Sequence, residues 1–212
     1  MIIPRFLVAR SPRTLACHPE AMTKLCPDVF DERVNHISEL FSMVRDGLLY
    51  PVDEVFVPID AAPSITLRAR AFSVHRPGTS IAHRQSASWI LGTRYRPPQR
   101  PQVCLDPTRR ARLPSRFVVA QYPIDESEIL HVADVRLTTP LRTALDLIVA
   151  EPHFDTAIAA EVLRLLDLSA TTITHLTQAI ETSRRSGIRC ARERVTTLTA
   201  LTESEAYPSL TR

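Results

Sequence analysis

Apolar residues recur at helical spacing over Val34, Ile37, Leu40, Phe41 and Val44, which predicts an amphipathic helix across Glu32–Arg45. Asp31 is placed to cap it, and Asp46-Gly47 closes it. With that apolar face turned inward, the outer strip is Asn35, Glu39, Ser42 and Asp46. Pro19–Leu25 reads as a shorter helix with proline in its first turn. Leu48–Tyr50 and Glu54–Ile59 read as two strands of a small hairpin. Helix, helix, hairpin is the order of a winged helix-turn-helix.

Beyond Ala61–Ser64, which reads as a domain edge, the pattern becomes mixed. Helices are predicted over Leu67–His75 and Ser86–Leu91, the second closed by Gly92, with a short strand over Ser80–His83 between them. Tyr95–Pro101 carries Pro97, Pro98 and Pro101 and is a loop. Gln102–Leu105, Phe117–Tyr122 and His131–Leu137 are strand-like. The first two read as a hairpin whose tip carries Arg109, Arg110 and Arg112. Thr139 caps a helix that opens with Pro140 and runs to about Ala150. Three more helices follow, over Phe154–Leu166, Ser169–Ser183 and Ile188–Leu201. The expected fold is α+β: a winged helix-turn-helix over residues 1–60, then a mixed α/β domain over 61–212 with a helical C-terminal third.

Charge changes this picture more than composition does. The net charge of +3 conceals blocks of −3 over residues 1–60, +10 over 61–122, −7 over 123–183 and +3 over 184–212. The middle block holds 11 arginines against the single Asp106. Arginine meets phosphate and carboxylate through a planar fork, so an anionic partner is expected for this segment.

Candidate chemistry is sparse. The four glycines are too far apart for a phosphate-cradling loop. The seven histidines show no metal-binding spacing, and the four cysteines contain no CxxC pair. Ser86 lies near His83 without the GxSxG elbow that would present a nucleophile. Asp125, Glu126 and Glu128 read as a solvated turn beside Pro123. Arg142 and Asp146, four apart, share a helix face and suit an intrahelical ion pair. Arg109, Arg110 and Arg112 suit phosphate contacts, each of which releases a condensed counterion. Arg33, Asn35 and His36, near the start of the first long helix, suit base edges. No catalytic residue, metal or cofactor is expected, and neither is a membrane span. The chain is expected to be cytoplasmic.

Two segments resemble a known family. His83-Arg84-Gln85-Ser86-Ala87-Ser88-Trp89-Ile90-Leu91-Gly92 is similar to an H-x-S-A-A-x-L-H-G stretch, and Thr138–Leu147 to a T-x-x-R-T-x-x-D-L stretch. Both belong to the AbiEi-like antitoxins of abortive-infection, type IV toxin–antitoxin systems. His83, Ser86, Trp89, Gly92, Arg142 and Asp146 carry the match. The resemblance covers residues 27–201 in the family's order. It departs at the wing, where Asp53-Glu54 replaces the family's glycine, and before Gly92, where the family's histidine is absent. What it implies is a non-enzymatic transcriptional regulator that binds its own promoter DNA, as a possible homo-oligomer, and counters a nucleotidyltransferase-like toxin. The outer acidic strip supports an alternative, a module that binds an acidic partner protein without sequence-specific DNA binding.

Overall fold

The computed structural model describes residues 28–74, 76, 78–108, 113–182 and 187–203. Among these, the protein is mixed α+β, with seven α-helices and two sheets. The helix expected over Pro19–Leu25 lies outside the described residues.

The first helix, α1, runs Ile37–Arg45, later than its pattern predicts. Asp31 does not cap it. Its carboxylate instead closes a turn, accepting from the Arg33 amide at 2.8 Å and from the Arg33 guanidinium at 3.2 and 3.0 Å. Phe30, just before, exchanges backbone hydrogen bonds with Phe56 and holds the chain extended there. His36 takes the capping position without a side-chain cap. The apolar face is not buried as expected: of α1 only Leu40 is, against Leu49 and Phe56. Val34, before the helix, is 83% exposed, and Phe41 is 60% exposed although its ring meets that of Phe56 edge-on, with 5.6 Å between ring centres.

That hairpin joins β1 (Leu49–Val52) to β2 (Val55–Pro58), with Val52 opposite Val55. Asp53, in the two-residue turn, has φ +57°. Aspartate tolerates this left-handed region better than most residues, which lets it stand where the family's wing has glycine. Val55 and Val57 face away from α1 and join the main core.

The main sheet has the order β5-β4-β3-β7-β6. Its strands are β3 (Ile81–Ala82), β4 (Gln102–Leu105), β5 (Val118–Gln121), β6 (Ile129–Val132) and β7 (Val135–Thr138). Two expectations are corrected here. First, β4 and β5 run parallel, so the segment with Arg109, Arg110 and Arg112 is not a hairpin tip but part of a crossover. Parallel neighbours need a connection of about a dozen residues, and residues 106–117 supply it. Second, His131–Leu137 is not one strand. The chain reverses at Ala133-Asp134 and pairs with itself, with Ala133 at φ +49°. Alanine carries no turn signal, which hides this reversal in the sequence.

One face of the sheet, with Ala82, Val103, Val135 and Leu137, packs under the helices. These are α2 (Ile65–Ser73), α3 (Arg84–Leu91), α4 (Pro140–Ala150), α5 (Thr156–Leu168), α6 (Ile173–Thr182) and α7 (Ile188–Glu203). Ser64 caps α2, Thr139 caps α4 and Asp155 caps α5, each through its side-chain oxygen. α4 is the hub, touching α3, α5, α6 and α7. The other sheet face carries a small cluster, Ile81, Cys104 and Ile129, with Ala120, Tyr122 and Ile124 packed against it. β5 and β6 are opposite edges of the sheet. The link between them, residues 122–128, therefore spans four inter-strand spacings, about 19 Å. That passage brings Tyr122 inward.

Candidate functional site

His83 stands immediately before α3, at its N-cap, and is fully buried. The start of α3 is satisfied from β4 rather than by its own cap residue. The Gln102 carbonyl accepts from the His83 amide at 3.3 Å and the Gln102 side-chain oxygen from the Gln85 amide at 3.0 Å. Ser86 Oγ returns a bond by accepting from the Gln102 amide at 2.7 Å. Ser86 is thus a buried strand-to-helix tie rather than a presented nucleophile. Gly92, at φ +87°, closes α3 in the left-handed conformation that glycine permits. Trp89 is buried, and its carbonyl accepts from Arg68 Nη1 at 2.8 Å.

The second signature segment meets the first inside the protein. Arg142 is 4% exposed and Asp146 1%, so their 3.0 Å ion pair is a core feature and not the exposed i, i+4 pair the spacing alone suggests. Arg142 Nη1 is also paired with Glu128. Glu128 is therefore not simply part of a solvated turn, although Glu126 remains exposed. Tyr122 joins the segments: its hydroxyl donates to Asp146 Oδ2 at 3.2 Å and lies 3.2 Å from His83 Nδ1. The Arg142 guanidinium lies 5.6 Å from the centre of the Tyr122 ring.

The electrostatics follow from burial. The His83 pKa is pushed down to about 3, first by burial and then by Arg84 and Arg142 nearby. His83 is neutral at physiological pH. The Tyr122 hydroxyl thus lies between the Asp146 carboxylate and the neutral His83 ring. Burial pushes the Tyr122 hydroxyl up. Burial also works against the charge of Arg142, but Asp146 and Glu128 outweigh it and raise its pKa. Burial likewise pushes the Cys104 thiol up, so it is no activated nucleophile. Among the described residues, no group of three or more His, Cys, Asp or Glu is arranged to hold a metal ion.

Several of the described arginines of the arginine-rich block bond back onto the protein. Arg68 donates to the Trp89 and Arg94 carbonyls, Arg76 to the Asp134 and Gly78 carbonyls, and Arg100 to the Ser115 and Phe117 carbonyls. Arg70 pairs with Asp28, Arg94 with the buried Glu161 at 2.9 Å, and Arg116 with Glu54 at 3.0 Å. Much of the block's charge is spent on structure. Arg109, Arg110 and Arg112 lie outside the described residues.

Arg33, Asn35 and His36 fall together at the start of α1, under an open surface groove of about 540 Å³ over residues 32–37. Arg33 is held by Asp31, while His36 Nδ1 lies 3.0 Å from Ser38 Oγ. Folding thus gathers His83, Ser86, Arg142 and Asp146 in the core and leaves Arg33, Asn35 and His36 on a separate surface. Sequence reasoning missed Tyr122, Gln102 and the pairing role of Glu128, whose partners are all distant in the chain.

No protein-family model matches the chain, and no curated protein matches it significantly. No helix among the described residues is long and apolar enough to cross a membrane.

Proposed function

We propose that the chain is a non-enzymatic, antitoxin-like transcriptional regulator that binds promoter DNA through a winged-helix unit and counters a nucleotidyltransferase-like toxin in the cytoplasm. The observation that carries this reading is the contact between the two signature segments. His83 and the Arg142–Asp146 pair, 59 and more residues apart, converge on Tyr122. The two segments that carry the resemblance thus share one buried network.

Local geometry supports the DNA-binding part. Arg33 and Asn35 lie in the turn before α1 and His36 at its N-cap, ahead of a two-stranded hairpin, an order that suits a recognition helix and its wing. A mobility-shift assay with the chain's own promoter tests this. Binding should weaken steeply with salt, and Arg33→Ala, Asn35→Ala or His36→Ala should reduce it. Absence of a shift at low salt would remove the regulator reading. Replacing Arg109, Arg110 and Arg112 with alanine should flatten the salt slope by about 0.9 per lost phosphate contact if they touch DNA.

A second reading draws on the exposed side chains Val34, Ile37, Phe41 and Leu48 in and around α1. Apolar side chains clustered on a surface suit a protein partner. Here the unit would bind the toxin and not DNA. Co-purification with a nucleotidyltransferase encoded nearby, lost in Phe41→Asp, together with no DNA shift, would select it.

A further inference from the structure

We propose that the loop Tyr95–Pro101 is a second nucleic-acid contact, in which Tyr95 stacks on an unpaired base and Arg96 and Arg100 face the adjoining phosphates. The proposal does not depend on the reading given to α1.

Tyr95 is 88% exposed, yet the backbone that carries it is fixed. Arg68 Nη1 donates to the Arg94 carbonyl at 3.3 Å just before it, and Arg94 Nε donates to the Arg96 carbonyl at 3.1 Å just after. Arg94 is itself anchored by Glu161. Pro98 is buried beneath the loop, and Arg100 Nη2 ties its far end to the Ser115 carbonyl at 2.6 Å. An aromatic ring held out into water on a pinned backbone has already lost much of the freedom that binding would otherwise remove.

Charge selects the kind of partner. No acid occurs between Arg84 and Leu105. The bonds of Arg100 go to carbonyls, which leave its positive charge uncompensated. The parallel pairing of β4 and β5 folds the return of the crossover against this loop, with the Val118 amide donating to the Pro101 carbonyl at 2.9 Å. Ser115, Arg116 and Phe117 are thereby set beside Arg100. An exposed ring on a loop with two exposed arginines suits a base and its phosphates. Stacking accepts any base, so the contact tracks single-stranded or unpaired nucleic acid rather than sequence.

The test uses the full chain and a fluorescently labelled short oligothymidylate, read by anisotropy at low salt. Wild type should bind. Tyr95→Ala should weaken binding at least about fivefold, the lower limit for losing one stacked base, whereas Tyr95→Phe should stay within about twofold. Arg96→Ala should lower the salt slope by about 0.7. Thermal melting should be unchanged in all three, since these side chains are exposed. Wild-type affinity in Tyr95→Ala, no binding by wild type, or equal competition by polyglutamate would overturn the proposal, the last by assigning the loop to an acidic protein. Arg33→Ala leaves oligothymidylate binding intact if the two sites are separate. A parallel loss of binding in Arg33→Ala would place this ligand at α1 and overturn the assignment to the loop.

Discussion

The phenolic hydroxyl of Tyr122 donates to Asp146 Oδ2 at 3.2 Å. Through that bond, a residue on a link that crosses one face of the sheet reaches a helix packed on the other. The same oxygen meets His83, so removing it leaves two buried polar groups short of a partner. Tyr122→Phe should cost about 1–3 kcal/mol in urea unfolding. Asp146→Ala should cost more, about 3–5 kcal/mol, because it strips a buried guanidinium of its buried carboxylate partner. The reverse order would show that the ion pair is not what holds the network.

His83 sets a pH dependence. Folded, it takes up a proton only near pH 3. Unfolded, it does so near the ordinary histidine value of about 6.5. Between those limits the unfolded chain binds the extra proton, so this contribution to stability is complete above about pH 6.5 and is lost as pH falls toward 3. Measured by urea unfolding at several pH values, His83→Gln should flatten the acid side of the profile by up to about 1.4 kcal/mol per pH unit. A slope identical to wild type would mean that the folded imidazole becomes charged as readily as the unfolded one.

The inward use of arginine separates side chains of the same charge. Arg94→Ala abandons Glu161, whose side chain is 3% exposed, and should cost about 3–5 kcal/mol. Arg45, 79% exposed beside Asp46, should cost no more than about 0.5 kcal/mol on the same change. Comparable losses in chemical denaturation would mean that Glu161 finds another partner.

Backbone conformation predicts opposite signs at two turns. Ala133→Gly relieves a left-handed alanine at φ +49° and should stabilise by up to about 1 kcal/mol. At Gly187, φ is +102° and a Cβ would stand 2.8 Å from the Val149 carbonyl oxygen. Gly187→Ala should therefore destabilise by more than about 1 kcal/mol. Shifts in melting temperature of matching sign check both.

Helices were the most legible part of the sequence. Pro140–Ala150 matches its prediction residue for residue, because Thr139 and Pro140 mark its start chemically. The strand segments were also visible, but not their partners. Nothing within Gln102–Leu105 and Val118–Gln121 distinguishes a parallel from an antiparallel pair, since direction is set by β3 and the path of residues 106–117. The α1 region misled because periodicity reports which positions can be buried, and of α1 only Leu40 is fully covered by the small cluster with Leu49 and Phe56. Of the site, the signature residues were visible as a pattern. Tyr122 was not, because its hydrogen-bond partners lie 24 and 39 residues away and no local spacing announces them.

The sheet's centre has a bearing on how the chain is made. β3 has only two residues, and its neighbours are β4 and β7. β4 follows it soon in the chain, but the flank on the other side, β7, is complete only when a ribosome has released the chain through Thr138. At about 5–20 residues per second, β3 waits several seconds for β7. During synthesis, the interior network of His83, Tyr122 and Asp146 cannot assemble before α4 is made, long after the hairpin of β1 and β2 has emerged.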